Sequence, residues 1–127
     1  MSGAGLREAS AQLVLLQGVS LLHPEDAVFD AMLEGWGRQQ RGGRRLQPDT
    51  ISDRQSAVRR FAAYTNAYPW QWSASDLDEW MTYLLAELKR AESTIRGYQG
   101  AIRMFCDYVI SPHYQWPAEC ERRFGVH

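Results

Sequence analysis

The sequence predicts an all-α fold: a small four-helix bundle with an irregular N-terminal segment before it and a short helix after it. Three observations predict this. Apolar residues recur at helical spacing in four separate stretches. The breaks between those stretches are short and rich in Gly, Pro and Ser. No two stretches alternate with the period of two that paired strands need. At 127 residues the chain reads as one domain, long enough to bury a core without disulfides or metal.

Residues 1–22 show no helical period and are expected to form a tail or a short apolar segment. The run Gln12 to Leu22 is interrupted by Gln17, Gly18 and Ser20, falls short of a membrane span of ~18 residues, and follows no basic signal-peptide region. The helical domain is expected over 23–111. Pro24 at a helix-entry position, with Glu25 and Asp26 in the first turn, opens α1 over roughly 24–40. Its face is Val28, Phe29, Met32, Leu33 and Trp36. Paired glycines and Pro48 in "RGGRRLQP" (Arg41 to Pro48) are expected to break it.

Asp49 or Thr50 then caps α2, roughly 50–65, with Thr50 to Asp53 resembling a capping box. The aromatic stretch Ala67 to Ser73 is a loop. Ser75 is expected to cap α3, whose stripe is Leu77, Trp80, Met81, Leu84, Leu85 and Leu88. Ser93 caps α4, roughly 94–110, and Pro112 stops it. The C-terminal segment 112–127 contains "PAECERRFG" (Pro117 to Gly125), a last short helix.

Two of these helices are nearly the same sequence. At an offset of 44 residues, Thr50/Thr94, Ile51/Ile95, Gln55/Gln99, Ala57/Ala101, Arg59/Arg103, Phe61/Phe105 and Tyr64/Tyr108 are identical. The apolar pairs follow from what any two core-facing helices need. The repeated Gln and Arg do not. At about 100° per residue, Ser52, Gln55 and Arg59 form one polar stripe on α2, and Arg96, Gln99 and Arg103 form its counterpart on α4. If the repeat marks one binding surface, Gln55/Arg59 and Gln99/Arg103 lie on the same side of the domain. If they point apart, the repeat is packing.

Charge is segregated along the chain. Residues 1–34 carry a net −4, residues 35–60 a net +5 from seven Arg against two Asp, and residues 75–92 a net −3. Arg–Gln–Arg stripes suit nucleic acid, because Arg pairs with phosphate or a guanine edge and Gln with phosphate or adenine. Arg38, Arg41, Arg44 and Arg45 add a Gly-rich basic loop that can follow a backbone. Arg54 falls nearer the core side of α2, where a snorkelling structural role competes with DNA contact.

The stretches "TISDRQSAVRRFAAYTNAYPWQW", "DLDEW" and "STIRGYQGAIRMFCDYV", in this order, resemble the N-terminal core-binding, SAM-like domain of tyrosine recombinases, the phage integrases, of the actinobacterial type. The resemblance spans roughly 24–125. It implies half of a clamp around duplex DNA, with α2 and α4 toward the DNA. Carried over by position, the DNA-binding residues are Ser52, Gln55 and Arg59 on α2 and Thr94, Arg96, Gln99 and Arg103 on α4. Arg41, Arg44 and Arg45 join them from the basic loop. It also implies contacts with neighbouring recombinase protomers.

The family's catalytic chemistry needs further residues, among them a His-x-x-Arg pair. None of His23, His113 and His127 has Arg three residues later. The expectation is a chain that binds recombination-site DNA without cutting it, as a segment of a longer recombinase or a truncated remnant. The competing reading is an α-helical protein-interaction module.

No cofactor, small-molecule substrate or metal is expected. Cys106, Cys120, His113 and His23 lack the tight pairs of a structural zinc site. No Gly-x-Ser-x-Gly or His-Glu-x-x-His motif occurs. Two cysteines without Cys-x-x-Cys spacing read as reduced thiols of a cytoplasmic protein.

Overall fold

The computed structural model describes residues 23–43 and 46–126. Among them are five α-helices, one 3₁₀ turn and no strand: α1 Pro24–Gly43, α2 Pro48–Thr65, the turn Pro69–Gln71, α3 Ala74–Ala86, α4 Glu92–Ile110 and α5 Trp116–Phe124. The fold is therefore all-α, as the periodicity predicts. The expectation for 1–22 lies outside the described residues.

The helix ends differ from expectation, each for a local reason. α1 runs through Gly42 and Gly43 instead of breaking at Arg41. Each glycine weakens a helix by about 1 kcal/mol without blocking it. Pro48 takes the first position of α2, after Gln47, where its missing N–H leaves one fewer donor to satisfy. The helix thus starts ahead of Asp49 and Thr50, and neither caps it. Asn66, at φ 52°, closes the other end in the left-handed conformation that Asn tolerates.

Ser73, not Ser75, caps α3. Its hydroxyl accepts from Asp76 N–H at 3.3 Å, while the Asp76 carboxylate accepts from Ser73 N–H at 2.9 Å. α4 begins at Glu92 after Ala91, with no side-chain cap, so Ser93 lies inside the first turn. The predicted stripe of α3 is also too long. The helix stops at Ala86, and Leu85 and Leu88 are left exposed.

The core is built from both hairpins, α1–α2 and α3–α4. Trp36 of α1 packs edge-on against Phe105 of α4, with ring centroids 5.3 Å apart. Trp80 of α3 packs on Phe61 of α2 at 5.4 Å. Position 80 is position 36 plus the repeat offset, and 105 is 61 plus the same offset. Each hairpin's tryptophan therefore packs on the other hairpin's phenylalanine. Leu33 and Leu77 continue the correspondence, so the repeat covers the hairpins and not α2 and α4 alone.

α2 and α4 make the most extensive helix–helix contact. Ala57 of α2 and Ala101 of α4, identical in the repeat, are both 2% exposed and belong to the core. The helices run antiparallel, since Arg54 near the start of α2 shares a cleft with Asp107 and Ser111 near the end of α4.

Loop aromatics and α5 close the ends of the bundle. Trp72 packs against Phe61 and Phe29, and its indole N–H donates to Ala67 O at 2.9 Å. Trp70 stacks between Tyr68 and Phe124. In α5, Trp116 is fully buried and donates its indole N–H to the Tyr108 hydroxyl at 3.0 Å. Buried Glu119 accepts from Arg122 and from Arg123, the latter at 2.7 Å.

Candidate nucleic-acid interface

The two polar stripes have different surroundings. Gln55 Nε2 donates to the Leu33 carbonyl of α1 at 2.9 Å. This bond needs Gly37: a Cβ there would lie 2.7 Å from Gln55 Nε2. Arg59 Nη1 lies 3.1 Å from Asp30 Oδ1, also on α1, and its guanidinium sits 6.0 Å from the Phe29 ring centre. On α2, then, Gln55 and Arg59 tie the first hairpin together.

On α4 the equivalent residues lack those partners. The position equivalent to Gly37 is Met81, and the position equivalent to Asp30 is Ala74. Gln99 is half-buried, and Arg103 is exposed with no ion-pair partner among the described residues. Arg96 is exposed, with Nη1 3.7 Å from Glu92 Oε2, a loose pair in which both side chains stay mostly in solvent. It borders a shallow groove shared with Met81, Thr82 and Leu85 of α3.

Gln55 and Arg59 of α2 thus meet α1, and Arg96 of α4 borders α3. The remaining predicted residues divide as follows. Ser52 is exposed on α2, Thr94 is half-buried in the first turn of α4, and Arg41 is exposed in the last turn of α1. Arg44 and Arg45 lie outside the described residues. Arg54 is half-buried and donates to Gln40 Oε1 at 3.0 Å.

Periodicity of the repeat overlooks another strip. Gly97 lies on the exposed face of α4 between Arg96 and Arg103, and a Cβ added at Gly97 or Gly100 would meet nothing within 4 Å. Backbone is thus uncovered between two arginines. On the neighbouring α2, Ser56 and Arg60 are exposed, and Arg60 has no ion-pair partner among the described residues. Glu92 and Asp107 of α4 and Asp53 of α2 are exposed acids on these two helices. The signal available in sequence was the Gly spacing on α4, which lies outside the identities of the repeat.

The titratable groups with shifted acidity belong to the frame. Burial pushes the Cys106 and Cys120 thiols up to about 11, leaving both protonated and poorly nucleophilic at neutral pH. The hydrogen bond to Asp26, at 2.6 Å, pushes the Tyr68 hydroxyl up to about 12. Burial does the same to Tyr108. No group of three or more His, Cys, Asp or Glu among the described residues could hold a metal ion. No helix among them is long and apolar enough to cross a membrane.

No protein-family model, curated protein or solved structure matches this chain.

Proposed function

We propose that this chain is a duplex-DNA-binding module, of the kind that tyrosine recombinases use as the N-terminal half of their clamp. It grips DNA without cleaving it. The observation that carries the reading is the strip Arg96, Gly97, Gly100 and Arg103 on α4. Two arginines flank uncovered backbone: Arg103 has no ion-pair partner among the described residues, and Arg96 has only a solvent-exposed pair with Glu92 at 3.7 Å. Phosphate contacts need mobile guanidinium groups that lose little on leaving their protein partners. Uncovered backbone lets a sugar–phosphate chain come close. Arg60 on the adjacent α2 supplies a third contact.

Gln55 and Arg59 support the interface indirectly, by fixing α2 against α1. The order of the motifs "TISDRQSAVRRF", "DLDEW" and "STIRGYQGAIRMF" is the further support for the recombinase assignment, and it brings recombinase protomers and a cytoplasmic setting as its expected context.

The test is fluorescence anisotropy with a duplex at low and rising salt. Three phosphate contacts predict a log–log slope of about −2.7. Binding that is insensitive to salt, or no binding at low salt, favours the competing protein-interaction module. Exposed Leu85, beside the groove of Met81 and Ile95, is the observation that favours that alternative.

A further inference from the structure

The outer face of α3 carries features that DNA binding does not use. Tyr64, Leu85 and Leu88 are three of the four large apolar side chains left exposed among the described residues, and all three lie on or beside this helix. α3 stands as a ridge with a groove on each side. Towards α4, the groove is walled mainly by Met81, Leu85 and Ile95, with Arg96 and Glu92 at its edge. Towards α2, a second groove is lined by Tyr64, Tyr83, Asp78, Glu79 and Glu87. Thr82 lines both and so marks the crest between them. Its hydroxyl donates to the Asp78 carbonyl at 3.0 Å, turned back onto its own helix, and its exposed neighbour on the crest is the small Ala86.

Charge on this face is one-sided. No Lys or Arg occurs between Ala74 and Leu88, and Lys89 and Arg90 come only after the helix has ended. Asp78, Glu79 and Glu87 are exposed and have no ion-pair partner among the described residues. Arg96 is the one cation that lines either groove, and Glu92 stands 3.7 Å from it. Such a face repels a polyanion and attracts a cation. The Tyr64 and Tyr83 rings, with centroids 4.9 Å apart, add to that attraction, because an aromatic face is negative. A guanidinium or ammonium group that settles there meets ring faces and carboxylates together.

We infer that the α3 ridge is a docking surface for a short basic segment of a partner protein. The segment sets an aliphatic side chain in the groove of Met81, Leu85 and Ile95, and an Arg or Lys over Tyr64 and Tyr83. The grooves are separated by the width of one helix, about 10 Å. An extended chain covers that distance in about three residues, so the partner's basic and aliphatic side chains stand about three positions apart. Burial of the aliphatic anchor supplies affinity, and the carboxylates select a basic partner over an acidic one. The inference does not rest on the DNA reading, and its test contains no DNA.

The experiment is an amide-resolved NMR titration of the full chain with the acetylated, amidated peptide Arg-Ala-Ala-Leu-Ala-Ala-Arg. Its leucine has an arginine three residues away in either direction. A control peptide carries Glu in place of both Arg. Saturable shifts at Glu79, Thr82, Leu85 and Ile95 are expected with the basic peptide and not with the control. Leu85→Ser and, separately, Glu79→Gln/Glu87→Gln are each expected to weaken binding several-fold. All three side chains are exposed, so these variants keep the fold. No saturable shift, equal shifts with the acidic control, or unchanged affinity in either variant overturns the proposal. Shifts at the same amides that follow the concentration of the chain alone assign the ridge to a second copy, and overturn it as well.

Discussion

In the first hairpin, Gln55 reaches across to the Leu33 carbonyl over Gly37, and Arg59 pairs with Asp30. In the second, Met81 and Ala74 stand at the positions equivalent to Gly37 and Asp30, and Arg103, the equivalent of Arg59, is left exposed without an ion-pair partner among the described residues. The tryptophans treat the hairpins alike, with Trp36 on Phe105 and Trp80 on Phe61. One plan of packing therefore carries two polar finishes. Equal letters at equivalent positions do not mean equal roles, because the neighbouring helix decides whether a flank residue is used inside the fold or left outside.

The largest expected effects test the shared plan. Trp36→Ala and Trp80→Ala each remove a side chain that is 2% exposed and are expected to cost about 3–5 kcal/mol. A double-mutant cycle by chemical denaturation should find coupling of about 0.5–1.5 kcal/mol between Trp36 and Phe105, and similarly between Trp80 and Phe61. Absence of coupling in either pair would break the correspondence between hairpins.

A smaller effect separates the repeat pair Tyr64 and Tyr108. Tyr64 is 41% exposed, whereas Tyr108 is buried and receives the Trp116 N–H. Tyr108→Phe leaves that buried donor unpaired and is expected to cost about 1–3 kcal/mol; Tyr64→Phe should cost little. Because burial raises the Tyr108 hydroxyl from 10.0 to about 12, the unfolded chain ionises first. Its contribution is therefore whole below pH 10 and is lost as pH rises toward 12. Denaturation midpoints across that window should fall, and less steeply in Tyr108→Phe.

Gln55 and Gln99 give a finer contrast. Gln55→Ala removes the bond to α1 and is expected to destabilise by about 1 kcal/mol, while Gln99→Ala stays within about 0.5 kcal/mol. Equal losses in thermal or denaturant unfolding would erase the distinction between the two flanks.

The four main helices and most of the core were legible because apolar spacing along a helix reports its buried face directly. Val28, Met32, Val58, Phe61, Ile102 and Phe105 are buried as the 3.6-residue period requires. The caps were less so. Ser73 and Ser75 both precede an Asp by three residues, and sequence alone does not choose between them. The matching of Trp36 with Trp80 was hidden because the helices that carry them share few other letters.

The polar stripes show the deeper limit. A helical wheel places Gln55 and Gln99 at the same angle from the core, but it does not say which helix fills the adjoining space. That space belongs to α1 in one case, with Gly37 admitting the amide, and the position equivalent to Gly37 is Met81 in the other. The strip Arg96, Gly97, Gly100 and Arg103 was readable only once the exposed side of α4 was known.

The DNA contact proposed above rests on Arg96 and Arg103 of α4 and not on Arg59 of α2, which pairs with Asp30. Duplex binding of the double variant Arg96→Ala/Arg103→Ala, measured beside Arg59→Ala at low salt, tests it most directly. The double variant is expected to bind at least about tenfold more weakly and to lose about 1.8 from the salt slope, as two phosphate contacts require. Arg59→Ala should stay within about twofold of the unmodified chain. Unchanged binding by the double variant, or an equal loss in Arg59→Ala, would contradict it.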